Sequence, residues 1–400
     1  MTTANALIQK RPLWLLSLLM PTLPFVSYAL VTASGNPLFW WLSVIYATLL
    51  IPLLDFLLGE NSINPSDEVN ASLVNDVFYQ RIVYCYPLLQ WLALGFGVWV
   101  AASALLHGWD WLAWALTFGA INGYGINAAH ELGHKRGKLG QWLAKITLMP
   151  SFYGHFLVEH NRGHHVKVAT PEDPASAKLG ESFWRFLPRT IFGSLRSAWQ
   201  LEKQKLNRQQ RSVWHWRNEN LQGWAGSLLI LLLALGVGGW WTALWFLAQA
   251  WQAISLLEVI NYIEHYGLKR QRLDNGRYEK CSPLHSWNSN TVYSNITLFQ
   301  LQRHSDHHAN PTRPYQLLRH FDQSPQLPSG YAAMILLAYI PALWFRVMDK
   351  RVLAHYDGDR SLANEYLKND GYKLPDKNGI FAMTRQGMDL LRQQWQMLKG

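Results

Sequence analysis

WLAWALTFGAINGYGINAAHELGH, residues 111–134, joins the two features on which a reading of this chain turns. From Trp111 to Ala129 no residue carries a charge. At ~1.5 Å per helical residue that run is long enough to cross about 30 Å of hydrocarbon. It ends directly in His130-Glu131-Leu132-Gly133-His134. On a continuing helix His130 and His134 stand at i, i+4, so both imidazoles project from one face and can hold one metal ion.

Upstream, His107 to Asp110 links this run to another, Tyr86 to Leu106, and so short a link predicts an antiparallel hairpin. Two further apolar runs precede it, Leu13 to Val31 and Leu38 to Leu58, followed by a polar connector from Asn61 to Arg81. The first follows Lys10 and Arg11 and resembles a signal peptide, with Val31-Thr32-Ala33 as cleavage site. Its length, its interruption by Pro21 and Pro24, and the apolar run close behind it favour a retained membrane helix. Downstream, Trp224 to Leu235 and Trp240 to Ile260 flank Gly236-Val237-Gly238-Gly239, which predicts a second hairpin that delivers His265 just past its end. Tyr331 to Phe345, interrupted by Pro341, is too short to cross and reads as an interfacial or core helix.

Six spans follow, and charge tests them. The outer links, Thr32 to Pro37, His107 to Asp110 and Gly236 to Gly239, hold no Lys or Arg, so all 36 basic residues fall on one side. That is the positive-inside pattern, and Trp40, Trp41, Trp109, Trp111, Trp240 and Trp241 flank the outer links as an aromatic belt. The expected fold is therefore all-α: a polytopic membrane protein with six transmembrane helices, both termini in the cytoplasm, and a cytoplasmic helical cap. Its regions are four membrane helices in 1–130, a cytoplasmic His-rich segment in 131–222, a membrane hairpin in 223–265 and a cytoplasmic region in 266–400. The net charge of +10 suits anionic lipid headgroups or an acidic protein. No basic helix or aromatic-basic motif accompanies it, which argues against nucleic acid. Cys85 and Cys281 show no CxxC spacing, so neither a disulfide framework nor a thiolate metal site is indicated.

On this topology three more histidine clusters share the cytoplasmic face with His130 and His134. They are His160, His164 and His165; His265; and His304, His307 and His308. Within each triplet the spacing directs two or three ring nitrogens toward one point if the segment is helical. Nine imidazoles exceed the four to six ligands a first-row ion takes, so two metals are implied. A dinuclear site at the ends of apolar helices points to redox chemistry on a lipid-like substrate, with iron and O2 as the natural pair. Glu131, Glu159, Glu264 and Asp306 stand beside the histidines, and Asp55, Asn127 and Glu258 lie in or at the ends of spans where polar groups are costly. All seven are candidates to orient ligands by hydrogen bonds. His155 and His285 fall outside the repeated spacing and read as structural. HELGH is also a literal HExxH zinc-protease motif with Glu131 as general base, and a His-rich metal transporter is a non-enzymatic alternative.

The clusters in their contexts, HELGHK, EHNRGHH, NYIEHYGL and LQRHSDHHA, resemble those of the bacterial integral-membrane di-iron alkane 1-monooxygenases. NYIEHYGL is the discriminating stretch, since membrane desaturases and related hydroxylases share the other patterns without it. Further stretches with this likeness are Gly154-His155-Phe156, Ala169 to Ser176 and His285 to Asn290. The resemblance implies six membrane helices, two irons held by the nine histidines, O2 as co-substrate and insertion of oxygen into the terminal methyl of an n-alkane drawn from the bilayer. It implies reduced rubredoxin as donor, and without CxxC pairs that rubredoxin is a separate protein. A membrane fatty-acyl desaturase or another lipid hydroxylase is the alternative. The small residues Ala29, Ala33 and Ala47 in the first two spans are expected to leave room for an alkane.

Overall fold

A computed structural model describes residues 11–135 and 137–366. Lys10, both termini and the last part of the region 266–400 lie outside the described residues. Among the described residues every regular element is a helix, with isolated β-bridges only. The principal helices are α1 (Leu23–Ser34), α2 (Pro37–Leu58), α3 (Val77–Ala102), α4 (Asp110–Gly133), α5 (Lys138–Leu148), α6 (Phe183–Arg208), α7 (Glu219–His265), α8 (Val292–Thr297), α9 (His304–Ala309), α10 (Tyr331–Ala338) and α11 (Pro341–His355).

The helix carrying the opening stretch, α4, is the axis of the bundle. It packs along α7, α3 and α5 and is buried over most of its length. Its small residues make this possible: a Cβ on Gly119 would stand 2.4 Å from Gln252 Cγ, and one on Gly125 2.5 Å from Gln90 Nε2. Close approach of this kind is how helices associate where water provides no drive. A polar ladder crosses the same interface. Gln90 Nε2 donates to Asn122 Oδ1 (2.6 Å), Asn122 donates to Gln249, and Gln249 Nε2 donates to the Pro150 carbonyl (2.8 Å). Unpaired, each group would cost several kcal/mol in an apolar interior.

Among the described residues three helices are long and apolar enough to cross a membrane, α2, α3 and α7, or five if two bent pairs each count as one span. α4 is not among them. An enclosed helix needs no continuous lipid-facing surface, so its sequence is freed for Gly, Asn and Thr. The bent pairs are Arg11–Leu18 with Met20–Ser34, at 48°, and α10 with α11, at 120°. The second bend sits where Pro341 opens α11, as the interruption of the apolar run anticipated.

α3 and α4 form the expected antiparallel hairpin: Trp114 Nε1 donates to Gly97 O (3.1 Å) and Tyr86 OH to Ile121 O (2.8 Å). The helix α3 begins at Val77, nine residues before its apolar run, because Asp76 caps it by accepting from Phe78 N (3.0 Å). α7 also reverses. Gly239 breaks it at φ 69°, a conformation open to glycine. Ser227 Oγ then donates to Met149 O (2.7 Å) and Gln249 Nε2 to Pro150 O (2.8 Å), although a straight helix would separate residues 227 and 249 by ~33 Å. The turns share one end of the bundle, where Trp111 and Trp241 rings lie 6.4 Å apart. His130, ~30 Å along α4 from Asp110, marks the other.

Candidate metal centre

All nine clustered histidines meet at that second end. They form two groups, His130, His134, His160, His165 and His307 in one and His164, His265, His304 and His308 in the other, and within each group the ligand atoms lie within 4.8 Å of one another. Four helical segments deliver them: the end of α4, the short helical stretch 156–167, the end of α7 and all of α9.

The local helix type decides the division. Residues His160–His164 form a π-helical turn, whose wider winding brings His165 nearer the face of His160 than an α-helix would, while His164 joins the other group. Two of the three ring nitrogens meet, within the two or three that the spacing allows, and the triplet serves both groups. In α9 the ordinary period applies: His304 and His308, at i, i+4, join one group, while His307 reaches the other.

In the larger group the Nε2 atoms converge. His130 and His307 are 2.8 Å apart, His160 and His165 2.9 Å, His165 and His307 3.1 Å, and His134 and His160 3.3 Å. Nitrogens bound to one ion at ~2.0–2.1 Å are separated by about 3.0–3.4 Å at neighbouring positions, so the spacing fits a shared metal. In the smaller group His304 and His308 Nε2 stand 2.8 Å apart, and the buried Nε2 atoms of His164 and His265 have no hydrogen-bond partner among the described residues. Orphaned, buried nitrogens are what a metal site needs. The protonation state fits as well. Burial, reinforced by neighbouring imidazoles, holds His160, His165, His304, His307 and His308 well below the usual imidazole range. Burial brings His134 down to about 4. Neutral rings keep the lone pair that ligation requires.

Outer contacts aim the rings. His164 Nδ1 pairs with Asp173 Oδ2 at 2.9 Å, and His265 Nδ1 lies 3.3 Å from both His285 O and Ser286 Oγ. With Nδ1 as donor, Nε2 is left for the metal. Burial alone would depress His164, but the Asp173 carboxylate reverses the shift and raises it. Asp173 was missed as a site residue, although its segment, Ala169 to Ser176, carried the likeness. His285 itself bonds Glu279 and Ser282, and His155 accepts from Trp224 Nε1 (3.4 Å).

Of the seven expected orienting residues, Glu264 stands at the ligands: Oε2 is 3.1 Å from His304 Nε2, and Oε1 accepts from Tyr331 OH (2.8 Å). Glu159 lies against Gly163 in the π-turn, and burial pushes it up to about 7. Glu131 pairs with Lys135 (3.0 Å), and Asp306 accepts from Asn310, Arg313 and Arg319 N. Asp55 fastens α2 to α8 by accepting from Ser294 N (2.8 Å) and Oγ (2.6 Å). Asn127 donates to Leu298 O (2.8 Å), while Glu258 accepts from Tyr153 OH (2.7 Å), Thr190 Oγ1 (2.8 Å) and Asn261 Nδ2 (3.2 Å).

A cavity of about 130 Å³ runs from His130, His160, Glu264 and His304 between α2, α4, α7 and α10. Ala47, Ile126, Leu256, Leu257, Ile335 and Leu336 are among its apolar walls. Apolar cavities near this size stay dry and admit benzene-sized hydrocarbon. Ala47 lines it as expected, but Ala29 and Ala33 are exposed on the outside of α1.

Residues 109–338 match the fatty acid desaturase family model. The chain is 45% identical over 366 residues to the alkane 1-monooxygenase of Acinetobacter baylyi, covering 90% of this chain and 89% of that one. It is 40% identical over 390 residues to the alkane 1-monooxygenase of Pseudomonas putida, covering 94% and 96%. A more distant similarity, 30% over 257 residues and 62% and 68% of the two chains, is to the xylene/toluene monooxygenase hydroxylase component of Pseudomonas putida.

Proposed function

The chain belongs to the alkane 1-monooxygenase family, and on that premise we propose that it is an integral membrane enzyme that hydroxylates the terminal methyl of n-alkanes to 1-alcohols. The observation that carries the reading is the apolar cavity ending on both histidine groups. A saturated chain offers no polar handle, so wall shape alone selects which carbon meets the reactive centre. The apolar walls also disfavour water.

The nine histidines would hold two iron ions, five ligands on one and four on the other, with Glu264 at the edge of the second. Two irons with O2 supply the oxygen-inserting chemistry, and the residues around them position and protect. Asp173 and Ser286 hold ring tautomers, and Tyr331 holds the Glu264 carboxylate toward His304. Electrons come from reduced rubredoxin, a separate acidic carrier that suits the +10 chain. The enzyme is multi-pass in the bacterial inner membrane with its centre on the cytoplasmic side, a reading supported by the one-sided Lys and Arg distribution. The zinc-protease alternative loses its general base, because Glu131 is buried against Lys135.

Purified, iron-loaded protein given rubredoxin, its reductase, NADH and O2 is expected to convert octane or dodecane to the 1-alcohol. Formation of an internal alkene from an acyl substrate without any 1-alcohol from alkanes would overturn the proposal in favour of a desaturase.

A further inference from the structure

One aromatic file leads away from the metal centre, and beyond His160 and Phe156 its members take no part in gathering ligands or lining the substrate wall. His160 stacks on Phe156 with centroids 4.9 Å apart, and Phe156 stacks on Tyr153 at 6.4 Å. Tyr153 meets His155 at 4.4 Å, and His155 meets Trp224 at 6.0 Å. Trp224 lies nearly parallel to Trp199, at 6.0 Å and 12°, and Trp199 meets Trp214 at 5.2 Å. Trp214 is 72% exposed. The file thus connects a ligand of the five-histidine group to the surface through four residues of low oxidation potential.

Two members also have a place to put a proton. Tyr153 OH donates to Glu258 Oε1 at 2.7 Å, and Trp224 Nε1 donates to His155 Nδ1 at 3.4 Å. Glu258 is a buried carboxylate within an apolar helix, a costly placement that a packing role does not require. Close contact of Gly154 with Gly223 is what brings His155 and Trp224 together, since a Cβ on Gly154 would stand 2.8 Å from Gly223 Cα. Electron entry does not need this file. His134 and His165 are only partly buried, and Val166 beside them is 65% exposed, so a docked carrier reaches the five-histidine group directly.

We propose that Tyr153, Trp224, Trp199 and Trp214 carry oxidising equivalents from the centre to the surface when O2 has been consumed and no alkane is in place. The proposal rests on the monooxygenase reading, which supplies the oxidant. Tyr153 gives one electron to the centre and its phenolic proton to Glu258. An electron from Trp224 then restores the phenol, with the proton returning from Glu258, while the Trp224 indole proton passes to His155. Trp199 and then Trp214 refill the vacancy in turn, and the indole proton returns from His155 to Trp224. At the surface a soluble thiol or the electron carrier reduces Trp214, and without one the indole radical combines with O2.

The test compares wild type, W224F, W199F and W214F, each iron-loaded and given O2 and no thiol, with donor limiting in the arm without dodecane and in excess in the arm with it. Without dodecane, peptide mapping of the wild type is expected to find oxygen added to Trp214 well above that on Trp216, which is 70% exposed but stacks on His215 instead of Trp199. W224F is expected to lose the Trp214 product, to gain oxidation at Tyr153 or the ligand histidines, and to inactivate severalfold faster. Freeze-quenched wild type is expected to show a tyrosyl or tryptophanyl radical signal that Trp224→Phe redistributes. With saturating dodecane all variants are expected to form 1-dodecanol at the wild-type rate. W214F, altered only at an exposed ring, keeps the test sound if an inner variant folds poorly. Wild type that makes 1-dodecanol yet oxidises Trp214 no more than Trp216 would overturn the proposal and leave the monooxygenase reading standing. Slower reduction of the metal in W224F would also overturn it, assigning the file to electron entry. Wild type that makes no alcohol would sink both.

Discussion

Asp173→Asn tests whether the two histidine groups are separate metal sites. Asp173 Oδ2 accepts from His164 Nδ1 at 2.9 Å and from Ser176 Oγ at 2.6 Å, and Oδ1 accepts from Ala175 N at 3.2 Å. Both side chains of the pair are nearly inaccessible, at 2% and 0%. An amide has one acceptor where the carboxylate has two. With its nitrogen toward His164 it draws the proton to Nε2 and removes the lone pair a metal needs. With its nitrogen toward Ala175 it sets two donors head-on. Loss of an outer partner of a metal-bound histidine typically costs 10–100-fold in affinity, about 1.4–2.7 kcal/mol. His164 belongs to the four-histidine group, so one metal equivalent is expected to leave at lower chelator concentration while the other is unmoved. The assay is bound metal against chelator, measured by elemental analysis on folded protein. The isosteric Asn variant is expected to lose at least as much affinity as Asp173→Ala, which leaves the tautomer free. Equal weakening of both equivalents, or of neither, would refute the two-site reasoning.

Tyr331→Phe removes the donor to Glu264 Oε1 and is expected to weaken that same equivalent, with a stability loss of about 1–3 kcal/mol from the unsatisfied carboxylate; an unchanged chelator curve would count against the role of Tyr331. Gly119→Leu forces atoms into Gln252, whose Cγ already lies 2.4 Å from a Cβ position, so thermal unfolding in detergent should show about 1–3 kcal/mol of destabilisation. Ile335→Trp fills the cavity and is expected to lower kcat/KM for dodecane with metal content unchanged; equal turnover would place the substrate elsewhere. Ala29→Leu and Ala33→Leu change only the outer face of α1, and product profiles across alkane lengths are expected to match wild type.

The sequence by itself determined the candidate ligands, the helical class and both hairpins. Uncharged runs, glycine breaks and His spacing are local signals, and hydrocarbon length sets a threshold that a linear count can meet. It did not register that α4 is enclosed, because hydropathy cannot distinguish a helix surrounded by others from one facing lipid, and the Gly and Asn residues that lower its apolarity are those that admit α3 and α7. It drew the start of α3 late, because Asp76 caps the helix through a hydrogen bond that hydropathy does not register. Only the tertiary structure decided the allotment of histidines. His160 and His165 go to one group and His164 to the other across a π-turn that no residue type dictates. Asp173, Tyr331 and the cavity walls were likewise invisible, since each acts across a gap of many residues closed only by packing. Ligand identity is written in spacing, whereas ligand direction depends on what the folded chain sets behind each ring.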